Sequence, residues 1–252
     1  MSEIRFDNSG VSLFHGDTFE GMKNIPDASV DMVLCDLPYG TTQNKWDAVI
    51  PFEPLWAEYS RICKGAIVLT AAQPFTSALV MSNPGQFKYC WVWNKVNRPT
   101  GHLNSKRQPM RETEDIPVFY LKQPTYHPQM VQGDPYTATG SKKSANYGAQ
   151  VASTTVCADG LRYPRNIVKI KADERGTVGR LHPTQKPVAL MDYLIRTYTN
   201  ANDTVLDNCM GSGTTGVAAV QLGRKFIGIE RDDGYFQIAQ NRIADARWSL
   251  AA

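Results

Sequence analysis

The sequence predicts an α/β protein, a largely parallel sheet of seven strands with helices on both faces. Three observations predict it. Short apolar runs bounded by turn residues recur along the chain. Several of the stretches between them have the length and pattern of helices. Near the C-terminus, a strand, a glycine turn, a helix and a second strand follow one another as a βαβ unit.

Taken in order, 11–17 alternates like a strand and ends on Asp17. A second strand at 29–35 runs into Asp36-Leu37-Pro38-Tyr39-Gly40. Further strands lie at 66–70, 89–93 and 116–121, with helices over 52–63 and 74–83. Pro187 sits where a helix would start, and Val188, Met191, Ile195 and Tyr198 line one face of it. Strands at 204–207 and 225–230 bring the count to seven, and the helix between them, 214–222, stops at Gly223. Runs this short and apolar suit a sheet covered on both faces. Ligands of such sheets sit at the carboxyl ends of the strands. Asp17, Asp36, Asp207 and Glu230 all close strands, so the rim calls for a cationic or hydrogen-bond-donating ligand.

Composition bounds the rest. At 252 residues the chain fits one α/β domain with an insertion, or at most two small domains. With 42% hydrophobic residues it can bury a full core. No basic-then-apolar N-terminal pattern marks a signal peptide. No apolar run approaches the roughly 18 residues of a membrane span. Five cysteines without C-x-x-C spacing read as reduced thiols of a cytosolic protein, not as a zinc site or disulfide set. The net charge of +3 is uneven. Residues 1–93 carry six basic and ten acidic side chains, 94–181 carry fourteen and seven, and 182–252 carry seven of each. The basic middle suits a polyanion such as DNA, or an ordinary solvated surface, and charge alone leaves the two even.

Gly211-Ser212-Gly213-Thr214-Thr215-Gly216 fits G-x-G-x-x-G in its required strand–turn–helix setting. Glu230, nineteen positions after Gly211, stands where an acid would meet a ribose hydroxyl. A nicotinamide oxidoreductase would use the same loop. Asp207, four residues before it, argues against a diphosphate, which it would repel. Only 36 residues follow Gly216, so the other strands of the sheet must come from the N-terminal side. No Lys follows the glycines as a P-loop requires.

In "DLPYG", Asp36 ends a buried strand, the carbonyls of Leu37 and Pro38 can accept hydrogen bonds, and Tyr39 offers a flat face. Two acceptors and an aromatic plate can grip an exocyclic amino group on a planar base. A plain strand-ending Asp-x-Pro turn gives the same letters, so the tetrapeptide alone leaves both readings open.

These segments together resemble the amino-methylating DNA methyltransferases, the N6-adenine/N4-cytosine family, in its circularly permuted β group. "DLPY" is similar to the family's DPPY motif, "DNCMGSGTT" to its D-P-F-x-G-S-G-T loop, and "HPTQKPVAL" (182–190) to its H-P-T-x-K-P motif. "LFHGD" and "RKFIGIE" also match, and only 123–180 lies outside the likeness. Leu37 replaces the first proline, and Asn208-Cys209 replaces Pro-Phe, removing an aromatic.

The resemblance implies a class I S-adenosylmethionine-dependent methyltransferase, a Rossmann-like seven-stranded sheet, circularly permuted, with a small recognition insertion. It implies a catalytic half at 1–122, a target-recognition insertion at 123–180 and a cofactor half at 181–252. The cofactor implied is S-adenosylmethionine, and no metal is required. Asp207 suits its ammonium, Glu230 its ribose and Asp17 its adenine amino group. Gly211, Ser212, Gly213 and Thr214 let the backbone approach its methionine part, and Lys186 could pair with the methionine carboxylate. Asp36, Leu37, Pro38 and Tyr39 would be the catalytic set, holding the protons of adenine N6 in a base flipped from double-stranded DNA. Cytosine N4 is the alternative target; families with Ser in place of Asp36 lean to it. The loop 94–111, with five basic residues and no acid, would contact phosphate. The implied setting is the cytoplasm of a prokaryote or phage host, without a membrane partner. The enzyme would be an orphan or part of a restriction–modification pair. The sequence identifies neither a restriction endonuclease nor a homodimer.

Overall fold

The structure is a computed structural model describing residues 10–41, 47–96, 98–140, 143–144, 148–149, 154–173 and 185–251. The chain begins β1 (Val11–His15), α1 (Thr18–Lys23), β2 (Val30–Asp36), α2 (Phe52–Ile62), β3 (Cys63–Thr70), α3 (Phe75–Ser82), β4 (Phe87–Asn94) and β5 (Thr113–Phe119). Six short strands follow: β6 (Val131–Gln132), β7 (Tyr136–Thr139), β8 (Lys143–Ser144), β9 (Gly148–Ala149), β10 (Thr154–Cys157) and β11 (Leu161–Arg162). It then runs through β12 (Ile167–Lys169), α4 (Val188–Tyr198), β13 (Thr204–Asp207), α5 (Thr214–Gln221), β14 (Lys225–Glu230) and α6 (Asp233–Ala251).

One sheet of eight strands, in the order β1-β14-β13-β2-β3-β5-β4-β12, carries the first compact unit. All its neighbours pair in parallel except β5, which runs antiparallel to β3 and β4. The seven expected strands are present. The eighth, β12, adds Ile167, Val168 and Lys169 beside Val92, Trp93 and Asn94. Several expected strand bounds shift by one to three residues; β1 stops at His15, so Asp17 caps α1, and the fifth strand spans 113–119 instead of 116–121.

The strand period of two sorts the core into two layers. Met32 and Leu34 of β2, Ala66 and Val68 of β3, and Val205 of β13 pack under α4, α5 and α6. Val33, Cys35, Ile67, Leu69 and Leu206 point the other way, onto α1, α2 and α3. Helices on both faces explain why these strands are apolar throughout. All five cysteines are unpaired. No described helix is long and apolar enough to cross a membrane.

Residues 128–165 form a second compact unit of antiparallel pairs, β7 with β10, β6 with β11 and β8 with β9. Within it the Arg162 guanidinium lies over the Tyr136 ring, 5.3 Å from its centre. The structural expectations for 174–184, including His182-Pro183-Thr184, fall outside the described residues, as does Lys142.

Candidate active site

Strand register brings the chemistry to one rim. His15 pairs with Glu230, Asp36 with Thr70, and Asn94 with Thr113, so the carboxyl ends of the parallel strands meet the amino end of β5. A cavity of about 550 Å³ opens there, within the roughly 300–1,000 Å³ of small-molecule sites. Every expected site residue except Gly213 lines it.

At the glycine end, β13 delivers Asp207, which is 3% exposed. Burial pushes its carboxyl up to about 6, against the hydrogen bonds from the Thr215 hydroxyl and the Cys209 N–H. The Gly211 N–H donates to Glu230 Oε2 at 2.9 Å, and the Asp232 N–H donates to Oε1 at 2.8 Å. Two backbone donors therefore fix the Glu230 carboxylate at the end of β14. Asp17 caps α1, its Oδ1 accepting from Phe19 N at 2.9 Å. Arg242 Nη1 donates to the Ser212 carbonyl at 2.5 Å and so anchors the loop to α6.

Two residues set how the loop lies. Gly213 has φ +80°, and a Cβ built on it would stand 2.9 Å from Ala239 Cβ. This glycine therefore lets the loop seat closely on α6. Asn208 is 1% exposed and ties the loop to two helices. Its Oδ1 accepts from Tyr59 at 2.6 Å, and its Nδ2 donates to Thr18 at 2.9 Å. The polar residue standing where the family has proline is thus a buried brace.

At the other end, Asp36 Oδ1 accepts from the Tyr39 hydroxyl at 2.8 Å and from the Thr70 hydroxyl. Lys186 Nζ reaches both Asp36 oxygens, at 2.8 and 2.7 Å. Lys186 is 7% exposed and sits directly before α4. Its expected place was beside the cofactor's carboxylate; in the structure its partner is Asp36. Burial alone would pull its pKa down, but the carboxylates of Asp36 and Glu114 outweigh this and hold it well above the ordinary lysine value. Glu114 in turn takes Lys95 at 2.5 Å and lies 3.4 Å from Lys186. Burial pushes Glu114 up, yet the two ammonium groups win and hold it low. The Tyr39 ring stacks on Phe75, with centres 5.2 Å apart.

Thr70, Glu114, Lys95 and Phe75 were not expected at the site. Thr70 carried a signal, since it ends the strand beside Asp36 as Asp36 ends its own. Glu114 lies at the start of an antiparallel strand, and reading the sheet by its carboxyl ends passes it over. Lys95 belongs to the loop expected to contact phosphate, but it is 5% exposed and neutralised by Glu114.

Known proteins resemble this chain in sequence and in fold. The family model described as DNA methylase, of the N6/N4 class, matches residues 30–241. The DNA adenine methyltransferase YhdJ of Escherichia coli strain K12 is 30% identical over 262 residues, 95% of this chain and 84% of that protein. The type II methyltransferase M2.LlaDCHI of Lactococcus lactis subsp. cremoris is 27% identical over 271 residues, 96% and 93% of the two chains. Among solved structures, the M1.HpyAVI–SAM complex superposes with a TM-score of 0.62 at 29% identity, covering 92% of this chain and 98% of that one. The cytosine-N4-specific PvuII DNA methyltransferase, at 16% identity, TM-score 0.67 and coverage of 99% and 95%, shares the fold. The fold is that of the class I S-adenosylmethionine-dependent methyltransferases, and the chain belongs to the N6/N4 DNA methylase family as a DNA methyltransferase.

Proposed function

We propose that the protein uses S-adenosylmethionine to methylate the N6 amino group of an adenine flipped out of double-stranded DNA. The observation that carries this reading is one cavity lined both by the acid-flanked glycine loop and by Asp36 and Tyr39. The residues present fit the cofactor. Asp207, Glu230 and Asp17 supply negative charge for its ammonium and acceptors for its hydroxyl and amino groups. The loop at Gly211, Ser212 and Thr214 lets the backbone approach its methionine part, with the Gly211 N–H already given to Glu230. Similarity to a DNA adenine methyltransferase and to a protein solved with SAM supports both halves of the reading.

When bound, the cofactor would supply an activated methyl group and a sulfur leaving group that keeps the electron pair. Asp36 accepts an amino proton and takes it up as the nitrogen becomes positive. The Leu37 or Pro38 carbonyl accepts the second hydrogen bond, directing the lone pair toward the methyl group. Tyr39, held against Phe75, offers its other face to the base. Alignment and exclusion of water account for the rest of the acceleration.

Asp36, where cytosine-directed relatives lean to Ser, favours adenine. We assign 1–122 and 181–252 to the methyltransferase domain and 123–180 to target recognition, carried by the compact unit 128–165, since β12 joins the main sheet. Its substrate places the protein with the genome in the cytoplasm. The test is mass spectrometry of nucleosides from plasmid DNA incubated with protein and S-adenosylmethionine. N6-methyladenine is expected; N4-methylcytosine alone would overturn the base assignment, and no methylated base would overturn the activity.

A further inference from the structure

Asp36 is engaged on both of its oxygens. Oδ1 accepts from Tyr39, Thr70 and Lys186, and Oδ2 accepts from Lys186 at 2.7 Å. An ionised carboxylate offers about two lone pairs on each oxygen, so what is left to a substrate lies on Oδ2, beside the ammonium. The ammonium also neutralises the charge that should draw the amino protons. For Asp36 to act, Lys186 must let go, and a buried ammonium cannot be left without a partner.

A waiting partner adjoins it. Glu114 Oε1 is held by Lys95 at 2.5 Å. Its Oε2 is buried and has no hydrogen-bond partner among the described residues. That oxygen lies 3.4 Å from Lys186 Nζ. Closing this gap to the 2.8 Å that Lys186 keeps from Asp36 Oδ1 needs only a small swing of a flexible side chain. The cluster of Asp36, Lys186, Glu114 and Lys95 keeps its net charge throughout, so the exchange requires no proton from solvent.

We propose that Glu114 is a positioning residue: entry of the target amino group passes the Lys186 ammonium from Asp36 to Glu114 Oε2, and Asp36 is thereby freed to accept. The proposal rests on the methyltransferase reading of the same site. Glu114 acts through Lys186 and needs no contact with the base or the cofactor. Lys186 is the moving part, and its place directly before Pro187 and α4 fixes the root of its side chain.

The test uses the full-length protein, plasmid DNA and S-adenosylhomocysteine as the binding probe. Glu114→Gln keeps the shape but removes the charge that receives Lys186. Single-turnover methyl transfer should fall on the order of 10–100-fold, the loss of one charge-assisted hydrogen bond. Binding of S-adenosylhomocysteine by calorimetry should stay within about threefold, and Glu114→Asp should recover part of the rate. In a Lys186→Gln background there is no ammonium to receive, so adding Glu114→Gln should cost no more than about threefold further. Should Glu114→Gln fail to fold, Glu114→Gln combined with Lys95→Met removes the stranded ammonium as well and carries the same readouts. A Glu114→Gln enzyme at wild-type rate, fully additive losses in the double variant, or loss of S-adenosylhomocysteine binding would each overturn the proposal. An active wild type with an unaffected Glu114→Gln variant sinks this inference alone; a wild type that binds the probe but methylates no DNA sinks the functional reading with it.

Discussion

Asp207 is the residue whose environment says most about its ligand. Burial holds its carboxyl at about 6 against an ordinary 3.8. Between those values the native chain binds a proton that the unfolded chain does not, so Asp207 makes stability fall as pH rises from about 4 to about 6. A shift of roughly two units corresponds to roughly 3 kcal/mol, withheld until a cation arrives. Affinity for S-adenosylhomocysteine, which carries the same ammonium, should therefore weaken as pH drops through about 6. Calorimetry from pH 5 to 8 checks this, and Asp207→Asn should bind weakly with a flat profile. At the catalytic end, Asp36→Ala should still bind the probe, because Asp207 and Glu230 remain. It should lose methyl transfer by on the order of 10²–10³, as for removal of a positioned polar group; nucleoside mass spectrometry decides, and a near wild-type rate would refute the role of "DLPY". Asp36, Asp207 and Glu230 could be read from sequence because each closes a strand, and register alone brings strand ends together. Lys186 could be found but not partnered, since only the folded site shows that Asp36 is within its reach. Glu114 could not be found, because it starts its strand.

The elements were legible in proportion to the size of the side chains they bury. β2 and β3 bury unbroken runs and stood out. Helix α6 buries Ala239, Ile243 and Ala246, a stripe of mostly small residues with little hydrophobic signature. It nevertheless decides how the glycine loop lies. Gly213→Val would force a branched side chain against Ala239 at φ +80°. The expected result is a stability loss of several kcal/mol, strain and overpacking together, so loss of cofactor binding in this variant would follow from loss of fold. Gly211 is the contrast: at φ +51° an added Cβ meets nothing within 4 Å. Gly211→Ala should cost only about 1–2 kcal/mol and keep a cooperative melt. Thermal unfolding of the two variants side by side tests the difference; equal losses would refute the seating role given to Gly213. β12 escaped notice because three residues are too few for an alternation to declare itself, and because the surrounding basic charge pointed to a surface.

For the whole molecule, the uneven charge of the sequence resolves into two kinds of basic residue. Some serve the fold: Lys95 is buried against Glu114, and Arg98 donates to the Asp173 carbonyl at 2.6 Å. Others are exposed. Lys106 and Arg107 follow the short 3₁₀ turn His102–Asn104, and Arg162 and Arg165 lie in the unit 128–165. Counting charge along the chain could not separate the two kinds, because only the folded pairing of β4 with β5 shows that Lys95 is spent on Glu114. Only exposed residues can exchange counterions for phosphates. If they bind the duplex, log affinity should fall linearly with log salt, by roughly 0.9 for each phosphate neutralised. Replacing Lys106, Arg107, Arg162 and Arg165 together by Gln should lower that slope by roughly 3–4. Binding of S-adenosylhomocysteine should not change, since none of the four lines the cavity. Replacing Lys95 should instead leave the slope untouched and lower the melting temperature, because the buried Glu114 carboxylate loses its nearer cation and keeps only Lys186 at 3.4 Å. The measurement is fluorescence anisotropy of a labelled duplex between 50 and 300 mM salt, on the order of the range over which phosphate contacts are felt. A slope unmoved by the four exposed substitutions, or moved by the buried one, would show that the duplex is held by other residues.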